Sequence, residues 1–161
     1  MAQSGAALLK TALFTVVVPG TVAGYLPRAL LLRETHWLPL GPLRWLGAPL
    51  LLIGLLVYLR CAWDFAIAGR GTPLPLDAPR ELVVLGLYRW VRNPMYVGVL
   101  SVILGLGLLF ASRSVLTYFA VVFLFFHLMV VLYEEQALAS RFGESYQRYR
   151  REVPRWVPRR P

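Results

Sequence analysis

Four runs of apolar residues separated by short polar stretches dominate the chain. The first, residues 6–26, carries one charge, Lys10, near its start. At about 20 residues it is long enough to cross a hydrocarbon core of roughly 30 Å. Met1–Gly5 lacks the basic residues of a signal peptide, so the run reads as a retained span. Pro19 and Gly20 predict a kink in it. Residues 27–42 read as a loop, with Trp37 and the nearby Trp45 suited to the headgroup level. The second run, residues 43–67, contains Arg60 and Asp64, four apart and therefore on one helix face where they can pair. Two readings stand for that pair, a functional intramembrane charge and a snorkelling pair just inside the interface.

Residues 69–92 are polar and punctuated, and Pro73, Pro75 and Pro79 exclude a regular helix through their first half. Asn93-Pro94 then opens the third run, residues 95–111. Asparagine is a favoured N-cap and proline a favoured first helical residue. Ser112–Ser114 is too short for more than a turn, so the fourth run, residues 115–133, forms an antiparallel hairpin with the third. The tail, residues 134–161, opens on Glu134-Glu135 and continues as an amphipathic helix ending near Glu152, with Phe142, Tyr146 and Tyr149 at helical spacing. Pro154 and Pro158 stop it, and Trp156 between them reads as an interface anchor. The pattern predicts an all-α polytopic membrane protein. It has about four transmembrane helices and a C-terminal amphipathic cytosolic helix, in a single domain over residues 1–161.

Composition supports this and adds an orientation. Of 161 residues, 58% are apolar and 16% charged, where a soluble domain is nearer a quarter charged. The mean hydropathy is +0.59. The net charge of +9 is carried by arginines that flank the apolar runs, which favours a membrane protein over a nucleic-acid binder. One side collects Arg70, Arg80, Arg89, Arg92 and the tail arginines; the other has Arg28, Arg33, Arg44 and Arg113. The positive-inside bias makes the first side, with both termini, cytosolic, and the arginine-rich composition points to a bacterial inner membrane. A single cysteine, Cys61, excludes an internal disulfide, and with only His36 and His127 no zinc spacing can be built. No metal is expected.

This topology brings residues 80–98 and 134–156 together on the cytosolic face. The third run's N-terminus offers unpaired N–H groups and a positive dipole end, suited to a carboxylate or phosphate. Arg89 and Arg92 add to it. Glu134 and Glu135 suit a cationic group, and Tyr88, Tyr96 and Tyr146 offer flat faces for a ring. The bland alternative is that the arginines snorkel, Asn-Pro merely caps, and the glutamates are the first polar residues past the lipid.

The stretch Gly86-Leu87-Tyr88-Arg89-Trp90-Val91-Arg92-Asn93-Pro94-Met95-Tyr96-Val97-Gly98 resembles the GxYxxxRHPxYxG signature of the isoprenylcysteine carboxyl methyltransferase and phospholipid methyltransferase superfamily. Glu134-Glu135-Gln136-Ala137-Leu138, followed by Phe142-Gly143 and Tyr146, is similar to its second block, EExxL…FGxxYxxY. Val153–Pro158 resembles the family's close, and Gly71–Pro75 a segment of its bacterial members. The resemblance implies methyl transfer from S-adenosyl-L-methionine in a cytosol-facing pocket to a lipid-like or small hydrophobic acceptor that enters from the bilayer. It implies cofactor contacts at Arg80, Glu81, Leu82, Val83, Tyr88, Asn93, Pro94, Met95, Tyr96 and Glu134. Tyr96 and Glu135 are the candidate catalytic residues by placement, and Arg92 and His127 the candidate substrate contacts. The family's histidine is Asn93 here, which exchanges hydrogen bonds but does not titrate near neutrality. An arginine of the eukaryotic members, four residues before the first glutamate, is Val130 here; His127, one turn earlier, stands as its substitute or as a buried polar residue. Two other functions stay open: a non-enzymatic membrane protein binding anionic lipid or a partner through its basic face, and a reductase relative holding a nicotinamide cofactor.

Overall fold

A computed structural model describes residues 12–68, 82 and 84–159. Four helical segments form the apolar body. Helix α1 spans Ala12–Leu32. Helix α2, Gly47–Ala68, follows a 3₁₀ turn at Gly41–Leu46. Helix α3 spans Pro94–Leu109 and α4 spans Arg113–Met129. A π turn, Val130–Glu134, leads without a break into α5, Glu135–Glu152, which bends at Gly143 (φ 52°). Among the described residues there is no strand, only an isolated antiparallel bridge between Trp37 and Ser112.

Three helical stretches are long and apolar enough to cross a membrane: Ala12–Leu32, Gly41–Asp64 and Arg113–Glu152. The chain is an all-α membrane protein. Helix α3 is shorter, 16 residues or about 24 Å, so it covers less than a full hydrocarbon core. The 40-residue run from Arg113 would reach about 60 Å if straight, so only its first part fits within one bilayer. Leu52, Ile53 and Leu56 of α2 and Val121, Leu124, Phe125 and Leu128 of α4 are exposed, as lipid-facing side chains must be.

The first span differs from its expectation. Residues 27–32, expected in a loop, continue α1, and Pro27 is buried inside it. The reason lies one turn earlier. Gly20–Tyr25 form a π turn in which Leu26 N–H reaches the Thr21 carbonyl, five residues back. In that register, the carbonyl that Pro27 leaves without a donor is that of Val22. Tyr118 of α4 supplies its hydroxyl there at 2.9 Å. The proline is tolerated because a neighbouring helix satisfies the freed acceptor.

Helices α2 and α3 pack backbone to backbone. Gly47 and Gly54 on one face those of Gly98 and Gly105 on the other, each pair seven residues apart. A Cβ at Gly54 would lie 2.7 Å from the Gly98 carbonyl oxygen, and one at Gly98 would lie 2.9 Å from that of Gly54. Small residues are what lets helices approach this closely without a hydrophobic drive from lipid. Around this seam Tyr58, Ala62, Val99, Leu100, Ile103, Val115 and Val122 form the main buried core. A second cluster, Tyr146, Tyr149 and Val153 with Leu82, Val84 and Leu138, packs α5 against the segment ahead of α3.

At the α3–α4 turn the loop after α1 is stapled down by Glu34. Its carboxylate accepts from the Ser112 hydroxyl, from Ser114 N–H at 2.9 Å and from His36 N–H at 2.8 Å. Ser112 is fully buried and caps α4, accepting from Val115 N–H. The hydrogen bond from Ser112, then those from the His36 and Ser114 backbone, pull the Glu34 carboxyl down to about 2. Leu38 N–H to the Ala111 carbonyl at 2.7 Å completes the zipper. An open hollow bounded by Leu38, Pro42, Arg44, Trp45 and Ala111 lies at this same end, away from Glu134 and Glu135.

Candidate functional site at the open end of the bundle

Gly86, at φ 55°, starts a 3₁₀ turn over Gly86–Arg89. Only glycine fits, because the position is left-handed and a Cβ would lie 2.7 Å from the Asp64 carboxylate. Asp64 is also held by Arg60 at 3.2 Å, with Arg60 largely exposed. The Arg60–Asp64 pair expected from the four-residue spacing is thus formed, and it docks onto the turn that leads to α3.

Helix α3 begins at Pro94, where the Asn-Pro step placed it. The asparagine does not act as the side-chain cap expected of it, however. Asn93 Nδ2 donates instead to the Arg155 carbonyl at 3.2 Å. The first turn of α3 therefore lacks a capping side chain for the N–H groups at the positive pole of the helix.

The two consecutive glutamates address different partners. Glu134, half-buried at the end of the π turn, accepts from the Tyr96 hydroxyl at 2.5 Å. Tyr96 is fixed from behind by Phe126, with ring centroids 4.5 Å apart. Glu135 is only 6% exposed and is gripped by three guanidinium groups. Arg92 Nη1 lies at 3.0 Å, Arg155 Nε at 2.6 Å and Arg150 Nε at 3.6 Å. In a regular α-helix, neighbours point about 100° apart. The wide turn before them lets both carboxylates face protein, and such π turns are frequent at functional sites.

Arg92 is the unusual member of this cluster. Its side chain is 9% exposed, and its Nε has no hydrogen-bond partner among the described residues. One buried carboxylate against three guanidinium groups leaves positive charge in excess. Beside it, Tyr149 donates its hydroxyl to the Tyr88 carbonyl at 2.7 Å, and Tyr146 is 2% exposed.

Residues 153–159 form a strap over the start of α3. Arg92 N–H donates to the Pro154 carbonyl at 2.9 Å and Arg159 N–H to the Trp90 carbonyl at 3.0 Å. Trp156, expected as an interface anchor, instead donates its indole N–H to His127 Nδ1 at 3.1 Å and packs against the main core. Nothing in the spacing of the tail pointed to this; the only signal was Pro154 and Pro158, which demand extended chain between them.

Of the residues singled out from sequence, the fold brings Tyr88, Arg92, Asn93, Pro94, Met95, Tyr96, Glu134 and Glu135 to one end of the bundle. Leu82 packs against the Tyr146–Tyr149 cluster, and His127 lies deeper in α4, tied to the strap. Arg80, Glu81 and Val83 lie outside the described residues. Arg150 and Arg155 were missed, and Tyr149 and Trp156 were read only as part of the amphipathic face and as an interface anchor, since each acts through long-range contacts. Among the described residues no grouping of His, Cys, Asp and Glu could hold a metal ion.

With this geometry in view, the similarities to known proteins gain a structural meaning. The chain is 38% identical over 77 residues to protein-S-isoprenylcysteine O-methyltransferase of Schizosaccharomyces pombe, covering 48% of this chain and 33% of that protein. It is 33% identical over 87 residues to methanethiol S-methyltransferase of Crocosphaera subtropica, covering 54% and 31%. A cobalt-zinc-cadmium resistance protein of Cupriavidus metallidurans is 38% identical over 78 residues, covering 48% and 36%. The matches thus take in about a third of these relatives' length. No solved structure matches. The sequence profile described as phospholipid methyltransferase matches residues 43–145, from the start of the α2 region to the middle of α5, and the chain belongs to that family.

Proposed function

We propose that the protein transfers a methyl group from S-adenosyl-L-methionine to a lipid-like or small hydrophobic acceptor at the membrane. The observation that carries this reading is the Tyr96–Glu134 pair set against the uncapped N-terminus of α3. Together they offer opposite charges a short distance apart. The residues fit the donor's amino-acid portion: the α3 N–H groups and the unpartnered Nε of buried Arg92 suit its carboxylate, and Glu134 suits its ammonium. Tyr88, Asn93, Pro94 and Met95 line the same approach, and Arg80, Glu81, Leu82 and Val83 precede it in sequence. When bound, S-adenosyl-L-methionine supplies an electrophilic methyl on a sulfonium sulfur.

The chain's own part is to hold, orient and exclude water. Tyr96 holds Glu134 in place and presents a phenol at the reacting end. Glu135, suited by sequence position to a catalytic part, serves better as an anchor, because its oxygens are already taken by Arg92, Arg150 and Arg155. Arg92, expected at the acceptor, serves the donor's carboxylate instead through its unpartnered Nε, and His127, deeper in α4, is left for the acceptor side. The relatives act on isoprenylcysteine and on methanethiol by their names, so oxygen and sulfur acceptors are the first to try. The arginine asymmetry favours cytosolic termini and a bacterial inner membrane.

A second reading has its own observation. Arg141, Arg148 and Arg151 are exposed along α5, as a face for anionic lipid would need. Calorimetric titration of the purified protein separates the two. Heat on adding S-adenosyl-L-methionine, absent with NADPH and weakened in Glu134→Gln, supports the methyltransferase. No heat with either ligand, with binding to anionic vesicles, sinks it in favour of a lipid-binding protein.

A further inference from the structure

The hollow at the Glu34 end of the bundle takes no part in the site described above. It holds about 460 Å³, within the range of small-ligand sites. Leu38, Pro42 and Ala111 give it apolar walls, and Arg44 and Trp45 complete its rim. The Arg44 guanidinium stands over the Trp45 ring, 5.2 Å from its centroid. That contact holds the group by its face and leaves its N–H edge available. Among the described residues no carboxylate or carbonyl accepts from it.

The depth of the hollow in the membrane follows from the span itself. Gly41–Asp64 is long and apolar enough to cross. Arg44 and Asp64 are 20 residues apart, roughly 30 Å along a helix and the thickness of a hydrocarbon core. With Arg60 and Asp64 at one interface, Arg44 stands at the headgroup level of the other. Trp37 and Trp45, both exposed, suit that level. From there exposed Leu46, Leu52 and Ile53 carry an apolar track into the acyl region.

The charges at this end discriminate between headgroups. Arg28, Arg33 and Arg113 are exposed, as Arg44 is, and none of the four pairs with an acid among the described residues. Glu34, the one acid of this end among those residues, already accepts from Ser112, Ser114 and His36. A phosphate meets the planar fork of a guanidinium well. The ammonium of a zwitterionic headgroup would meet only guanidinium groups, with no carboxylate left to receive it.

We propose that this hollow holds the headgroup of an anionic phospholipid from the leaflet at that end, with its phosphate on Arg44. The hollow is bounded by the turn that opens α2 and by Ala111 at the α3–α4 turn, so the occupant also braces these two elements. The site is separate from methyl transfer and does not depend on that reading.

Tryptophan fluorescence tests this in the intact protein. The vesicles contain phosphatidylcholine and phosphatidylglycerol, with one lipid or the other brominated in its acyl chains. Comparison with Trp45→Phe isolates the Trp45 signal from those of the other tryptophans. Brominated phosphatidylglycerol is expected to quench Trp45 at mole fractions about fivefold lower than brominated phosphatidylcholine, as for one arginine at an anionic surface. Phosphatidylglycerol added in detergent is also expected to raise the thermal midpoint more than phosphatidylcholine does. Arg44→Gln brings both preferences to parity, and Arg44→Lys keeps the quenching preference. Equal quenching of Trp45 by the two lipids overturns the site, as does a preference that survives in Arg44→Gln. A preference shared equally by the tryptophans remaining in Trp45→Phe reflects surface charge alone and overturns it too. If Arg44→Gln does not fold, the Trp45 preference in native protein and its retention in Arg44→Lys decide the matter.

Discussion

The two ends of the helical bundle each centre on a carboxylate tied to α4, and they solve its charge in opposite ways. Glu34 reaches across to the N-terminus of α4 and is satisfied by a hydroxyl and backbone N–H groups, all of them neutral donors. Its negative charge complements the positive end of the helix, and nothing is left over. Glu135, past the other end of α4, is met by three arginines. Here the positive charge exceeds the negative, and a buried donor on Arg92 stays unused. One end is a closed staple. The other holds surplus charge and unspent hydrogen-bonding capacity, which is the condition under which a fold can take up an anionic group.

Removing the charge at the crowded end tests this first. Glu135→Ala leaves Arg92, buried to 9% exposure, without its counterion. Breaking a buried pair from one side costs about 3–5 kcal/mol, so a large drop in the thermal midpoint in detergent is expected, with proteolysis of the strap at Arg155 as a second readout. A small drop would show that the cluster is not the anchor described.

Gly98→Val lies between the ends and should loosen both. Overpacking the α2–α3 seam costs about 1–3 kcal/mol, and the midpoint should fall while the Glu34 staple and the site report together. Independent behaviour of the two ends would mean that the glycine seam does not couple them. Glu134→Gln is the selective counterpart. It keeps a partner for Tyr96 and is expected to leave the midpoint unchanged, yet to weaken S-adenosyl-L-methionine binding by about 10–100-fold. Unaltered binding would place the donor elsewhere.

The smallest effect belongs to Glu34. Its carboxyl sits at about 2 against an ordinary 4.5, so the folded state prefers the ionised form. The stabilisation is complete above pH 4.5, declines as pH falls and is gone below about 2. Glu34→Gln should remove that slope. The check is the difference in thermal midpoint between native and variant protein from pH 5 to pH 2. A difference that does not shrink towards low pH would contradict the hydrogen-bonded carboxylate.

Much of the fold was legible because lipid imposes simple rules. Residues 43–67 became the core of α2, the Asn-Pro step opened α3 at Pro94, and the tail helix ended at Glu152. Pro27 misled because its rescue comes from Tyr118, distant in sequence. Asn93 misled for a similar reason, since a carbonyl from the strap outcompetes the local cap. At the site, proximity of residues 86–98 to Glu134-Glu135 could be read from the hairpin. Which glutamate meets which partner could not, because that depends on the helical register between Met129 and Glu135.

That register has a consequence for how the family's sequences can change length. The π turn at Val130–Glu134 holds one residue more than an α-helical turn needs. It absorbs that residue locally, so α5 leaves the turn in nearly the phase that a regular α-helix one residue shorter would give it. Loss of Val131 would let the turn relax to a regular α-helix and leave Glu134 and Glu135 near their partners. The same loss inside α4, where no residue is spare, would swing both glutamates by about 100°, away from Tyr96 and the arginines.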